Sequence, residues 1–280
     1  MGELINPIYK KEMIMELRGL KFPIVILIYN GILALIGMLI FTTDAGSDLL
    51  DKMTAYIDTT SVYSVLLMIE YVIVLFIVPV YAASRVSCEY EKGTIQLLML
   101  TKMNHFQIIW AKLCAVVTLI IILVLSSIPV FAIILYQVGI SAIIFIKYIF
   151  IVITTTMFVG CLGVLVSTIL KKTIPAILVT YLILIVLTVG TFYLMKMVPI
   201  VMLVNPIFTM LKLITESAPS SEHINNFINE GIGTKGFLAE NWMFVSVMVQ
   251  AIISVGVVYL TATMCRIGQY GKKIKNLPEE

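Results

Sequence analysis

The sequence predicts an all-α integral membrane protein with six transmembrane helices and an amphipathic helix at its start. Three observations lead there. Of 280 residues, 60% are hydrophobic and 12% charged, about half the charge of an ordinary soluble domain. The apolar runs are continuous, unlike the short alternating segments of an outer-membrane barrel. The cations are also placed unevenly. Fourteen of the nineteen Lys and Arg residues fall in segments assigned to one side, and five (Lys52, Lys147, Lys196, Lys212 and Lys235) in segments assigned to the other. That asymmetry puts both termini in the cytoplasm. The net charge of +3 follows this topology and is not a nucleic-acid signal.

The whole chain, 1–280, reads as one transmembrane domain. Residues 1–21 form the interfacial helix. Asn6-Pro7 gives an N-cap followed by proline at the first helical position. Tyr9, Met13, Leu17 and Leu20 recur on one face, with Lys10, Lys11, Glu12, Glu16 and Arg18 around the rest. Such a helix lies in the cytoplasmic interface with its cations toward headgroups. The acids and the long apolar run that follows argue against a secretory signal peptide. Residues 22–41 form the first span, long enough for about 30 Å of hydrocarbon, with Asn30 near its middle. An acidic outer loop follows. The second span, 62–84, carries Glu70, roughly 12 Å from the outer end at ~1.5 Å per residue, and Pro79 in its inner half. The third span, 108–137, contains Ser126, Ser127 and Pro129, a bend whose freed carbonyls are satisfied locally. The fourth, 142–170, contains Gly160-x-x-Gly163, small residues that let helices approach closely. It ends in the inside signal Lys171-Lys172. The fifth is 174–195. Residues 196–241 form an outer region. Its apolar first part is broken by Pro199 and Asn205-Pro206 and is too interrupted to cross, so it reads as one or two short helices dipping back into the outer leaflet. The last span, 242–264, opens on Trp242 and is followed by Arg266, Lys272, Lys273 and Lys275.

A polar island, 85–107, interrupts the apolar sequence between spans two and three. It reads as a short cytoplasmic helix held between two turns. Gly93 permits a tight turn. Thr94 can cap a helix through Leu97, Leu98 and Leu100. Asn104 with Gln107 is a capping-box pattern that starts the next helix. Glu89 and Glu91 precede the short helix, available to cations on a partner or on the N-terminal helix, or simply a solvated face.

The series Glu89, Glu91, Gly93, Thr94, Leu97, Leu98, Leu100, Thr101 and the closing Lys112 resembles the type-2 permease family of ATP-binding-cassette (ABC) exporters. The six-span architecture, with an interfacial helix before the first span and a broken outer segment between spans five and six, is similar as well. The resemblance covers nearly the whole chain. Lys102 departs from it, since many members have proline there, and the outer region before the last span is extended. It implies a coupling helix between spans two and three and a re-entrant outer hairpin between spans five and six. It implies that Glu89, Glu91, Gly93, Thr94, Leu97, Leu98 and Thr101 couple the chain to a separate nucleotide-binding ATPase subunit. ATP and Mg would be held by that subunit, with no cofactor on this chain. A second permease subunit, identical or not, would complete a path lined by spans one, two and five. The setting would be a plasma membrane, bacterial in type.

The chain has no GxxxxGK[ST] phosphate loop; Gly233-Thr234-Lys235-Gly236 lacks the glycine spacing and a preceding strand. His105 and His223 have no motif partners for hydrolysis, so no catalytic residue is assigned. Cys88, Cys114, Cys161 and Cys265 have no metal-ligand spacing and read as packing residues, so no metal site is assigned. Glu70 is costly at its depth and must face protein or water. It is either a group on the translocation path, with Asn30 beside it, or a structural acid paired with Asn30, a Tyr or a Thr. The leading expectation is an export permease for a hydrophobic or amphipathic substrate, peptides or drug-like molecules ahead of lipid-linked glycans. An ion- or proton-coupled transporter or channel built on Glu70 is the alternative, and a transport-inactive scaffold the third reading.

Overall fold

The computed structural model describes residues 7–44, 55–94, 105–132, 142–194, 198–217 and 241–275. The described residues are helical, with no strand, and six helices are long and apolar enough to cross a membrane. In chain order the described helices begin with α1 (Pro7–Arg18), α2 (Lys21–Asp44), α3 (Ala55–Glu91), α4 (His105–Ser126), α5 (Ala142–Leu170) and α6 (Thr173–Leu194). A 3-10 turn (Pro199–Val204), α7 (Pro206–Ser217) and α8 (Trp242–Lys275) complete the fold. The spanning helices are α2, α3, α4, α5, α6 and α8.

The core is built around α3, α4 and α5. α5 packs on α3, α4, α6 and α8. The contact with α3 depends on a small residue. A Cβ added to Gly163 would stand 2.9 Å from the Ala82 Cβ and 3.2 Å from the Ala83 nitrogen, so glycine lets the two backbones meet. Gly160 does less, because a Cβ there would meet only the Leu113 side chain at 3.5 Å. Ser167 Oγ accepts the buried Ser87 N–H at 2.7 Å. α2 and α6 are peripheral by contrast. Leu27, Leu35, Met38, Leu178, Leu182 and Val186 point away from the bundle, as lipid-facing or partner-facing side chains do in a membrane.

α3 remains helical through Pro79, which removes the donor for the Leu75 carbonyl. Beside this gap, Tyr181 of α6 donates to the Phe76 carbonyl at 2.5 Å. α4 ends at Ser126, and residues 128–132 resume the helix beyond a turn at Ser127. Residues 133–141, the rest of the expected third span and the outer turn, lie outside the described residues, as do 218–240.

Asn205 separates the 3-10 turn from α7. Its Oδ1 accepts the Ile207 N–H at 2.9 Å, an N-cap ahead of Pro206 at the first helical position. Its Nδ2 donates to the Thr188 carbonyl at 3.1 Å and to Thr191 Oγ1 at 2.7 Å. One buried side chain thus starts α7 and pins it to α6. Thr209, Ser246 and Gln250 join α7 to α8 through short hydroxyl and amide contacts. Phe208 meets Trp242 edge to face at 5.6 Å.

Candidate functional site

The end of the bundle where α1 lies holds a buried cluster of charges. Ile8 of α1 packs against Ile108 and Ala111 of α4, which fixes the helix with Glu12 turned inward. Lys112, 1% exposed, donates to Glu12 Oε1 at 3.0 Å, to the Arg85 carbonyl at 3.0 Å, and lies 2.8 Å from Glu89 Oε1. Arg85 Nη1 reaches Glu12 Oε2 at 2.5 Å and Glu16 Oε1 at 3.1 Å. Three carboxylates from α1 and α3 therefore surround one cation from α3 and one from α4. Burial pushes the Glu12 carboxyl up. The charges of Lys112 and Arg85, with their hydrogen bonds, outweigh that and hold it below the usual carboxylate range. Paired charges of this kind are tolerated in a low-dielectric site because each removal would strand another.

This arrangement fixes which side of α1 faces the bundle. Tyr9 and Met13 do turn partly inward, but Leu17 and Leu20 are exposed, and Ile8 and Glu12 are the buried residues. Charge pairing with α3 and α4, which no hydrophobic period reports, sets the rotation of the helix.

The last turn of α3 continues the pattern, one partner per residue. Glu89 belongs to the buried cluster. The Tyr90 ring lies 5.7 Å from Lys171 Nζ, a cation–π contact with the turn between α5 and α6. Glu91 accepts the Thr173 N–H at 2.7 Å on one oxygen and the Thr173 hydroxyl at 2.8 Å on the other. It caps the start of α6 from another helix, where a carboxylate also meets the positive end of the helix dipole. Gly93 sits at φ 70°, the left-handed conformation that its turn requires. The Thr94 hydroxyl turns back to the Glu89 carbonyl at 3.5 Å. Leu97, Leu98 and Thr101, and the helix expected around them, lie outside the described residues, as does Asn104.

A second polar centre surrounds Glu70, which is fully buried. Tyr29 of α2 donates to Glu70 Oε1 at 2.5 Å, and the Ser127 hydroxyl lies 2.6 Å from the same oxygen. The Ser127 hydroxyl is also 2.7 Å from the Val124 carbonyl; one hydroxyl has one proton, so the two contacts share it. Asn30 is not a partner of Glu70. It donates to Ser126 Oγ at 2.8 Å and to the Ile26 carbonyl at 3.0 Å. Tyr71, the next residue, turns the other way and donates to the Pro206 carbonyl at 2.9 Å. Glu70 therefore ties α2 to α3 and α4, while Tyr71 ties α3 to the start of α7.

Glu12, Arg85, Lys112 and Thr173 are the functional candidates that sequence reasoning left unassigned as a group. A signal was present: Lys112 is a lone cation in an apolar run, and Glu12 and Glu16 share a helical face.

The family model described as ABC-2 family transporter protein matches residues 6–266. No curated protein matches the chain significantly. The matched span takes in α1, every spanning helix and both polar centres. The chain belongs to the ABC-2 family of transporter proteins, multi-pass membrane proteins that serve as the permease component, not the ATPase, of an ABC transporter and work with an ATP-binding subunit.

Proposed function

We propose that the chain is an export permease in which the ATP-binding subunit docks from the cytoplasm on residues 95–104, with both termini on that side. The observation that carries this reading is the anchoring of α3 where it enters the segment. Glu89, Tyr90 and Glu91 each hold a different structure: the charge cluster with α1 and α4, the turn after α5, and the first turn of α6. A subunit that pushes on 95–104 therefore pushes on α1, α4 and α6 at once. Glu89 and Glu91 act as positioning residues, and Gly93, Thr94, Leu97, Leu98 and Thr101 form the docking segment. ATP and Mg belong to the partner.

A second permease copy or a related chain pairs through the exposed faces of α2 and α6, and the path forms between them beside α3. Glu70 stands behind that wall. It holds Tyr29 and so sets the position of α2. The apolar cavity of about 10 Å³ bordered by Phe158, Leu162, Leu184, Leu187 and Pro206 has room for about one water and not for a peptide or drug-like cargo. Exposed aliphatic walls suit a hydrophobic or amphipathic cargo, a peptide or drug-like molecule first. The 3-10 turn and α7 form the re-entrant hairpin at the outer end.

The test is to purify the tagged chain from native membranes in mild detergent and assay the eluate for ATPase activity, beside the Glu91→Lys, Gly93→Pro double variant. Co-elution of an ATPase with the parent and its loss or uncoupling in the variant supports the reading. A folded, abundant parent with no nucleotide-binding partner overturns it.

A further inference from the structure

The ion pairs at the α1 end leave the outer side of α1 with a single sign of charge. Both acids of the described helix, Glu12 and Glu16, are drawn inward to Arg85 and Lys112. Lys10, Lys11 and Arg18 take no part in those pairs and are exposed. At helical spacing Lys10, Ile14 and Leu17 form one outward stripe, and Lys11, Met15 and Arg18 the next. Ile14, Met15, Leu17 and Leu20 are all exposed, Leu20 by 81%. Three residues after Arg18, Lys21 opens the first spanning helix, so this face lies where that span leaves the bilayer.

We propose that the outward face of α1 is a binding surface for anionic phospholipid headgroups. Exposed aliphatic side chains interleaved with cations fit the boundary between acyl chains and headgroups, where the apolar groups insert and the cations meet phosphate. A mixed-charge helix would accept zwitterionic lipid nearly as well. Here the acids that would balance the cations are occupied in the protein interior, so the remaining field is positive and selects negative headgroups. The same pairing links the lipid-facing side of α1 to Glu89, and through it to the last turn of α3. The inference rests on the surface placement of α1 proposed above, but not on the identity of the ATPase.

The experiment titrates the purified complex, in neutral detergent micelles at low salt, with acyl-labelled phosphatidylglycerol and, separately, phosphatidylcholine of the same chains. Fluorescence anisotropy reports binding. Phosphatidylglycerol is expected to bind about tenfold tighter or more, given the attraction each cation near an anionic surface contributes, and to lose that margin at high salt. Lys10→Gln, Lys11→Gln, Arg18→Gln should bring the two lipids level. Lys10→Arg, Lys11→Arg, Arg18→Lys, which keeps the charge, should restore the preference and guards against a folding defect. Equal binding by the parent, or a preference that survives the Gln variant, overturns the proposal. So does a Gln variant that keeps its lipid preference but sheds the ATPase, since the face would then belong to a protein partner. Absence of an ATPase from every preparation, with lipid preference intact, counts against the exporter reading and leaves this one standing.

Discussion

The charge cluster at the α1 end and the Glu70 centre solve one problem in two ways. Both bury carboxylates between helices of a membrane protein. At the α1 end the carboxylates of Glu12, Glu16 and Glu89 meet the cations of Arg85 and Lys112. Around Glu70 no cation appears among the described residues, and the hydroxyls of Tyr29 and Ser127 crowd one oxygen. The hydroxyls of Tyr63 and Tyr148 lie near the same carboxyl. The first centre depends on opposite charge and is brittle to loss of one member. The second depends on hydrogen-bond geometry, so a neutral group of the same shape can stand in.

The largest effect should come from Lys112→Met. It strands Glu89, leaves Glu12 with Arg85 alone, and should cost about 3–5 kcal/mol, read as thermal unfolding of the purified complex. Adding Glu89→Gln should return part of the loss; no recovery would mean that Lys112 acts through packing and not charge. Glu70→Ala comes next. It leaves two hydroxyls facing a void and should cost roughly 2–4 kcal/mol. Glu70→Gln keeps an acceptor oxygen, so it should stay below about 1.5 kcal/mol in the same assay and leave assembly intact, while transport changes. Equal losses in the two variants would erase the contrast, because charge and not geometry would then hold the site.

Acidification should separate the centres more gently. The Glu12 carboxyl is held below its ordinary value of 4.5, so its contribution is complete above that value and is lost as pH falls through the lower folded one. Protection of α1 amides from hydrogen exchange should therefore fall once the pH is taken below the ordinary carboxylate range, and Glu12→Gln should remove that step. The smallest effect is expected from Glu91→Ala, which deletes the cap on α6. Amides of the first α6 turn should exchange roughly threefold to tenfold faster, with unfolding temperature nearly unchanged. An unchanged first turn would show that Thr173 caps itself.

The six-helix membrane architecture was legible because continuous apolarity is a local property. So was the break at Asn205-Pro206, although its role as the cap of α7 came only with the structure. Gly93 announced its turn for the same reason. What the sequence does not carry is which helices meet. Lys112 and Glu12 are 100 positions apart, and Glu91 and Thr173 are 82. Glu89 and Glu91 therefore read as acids waiting for a partner, although the fold already supplies one to each. For Glu70 the depth was readable, and a tyrosine was among the candidate partners. Tyr29 was hidden behind its neighbour Asn30, which looked the more natural choice and turns to Ser126 instead.

Pro79 takes on a mechanical meaning once the two centres are joined by one helix. From Glu70 to Glu91, α3 is an arm of about 30 Å at ~1.5 Å per residue. A tilt of about 10° around the Glu70 level would carry Glu91, and the first turn of α6 with it, by about 5 Å, near one helical pitch. Pro79 lies part-way along that arm, at the point of least bending stiffness, with Tyr181 clasping the Phe76 carbonyl beside it. The arm is thus braced from α6, the same helix that Glu91 caps at its far end. Removing the Tyr181 hydroxyl would slacken the transmission without touching either of its ends.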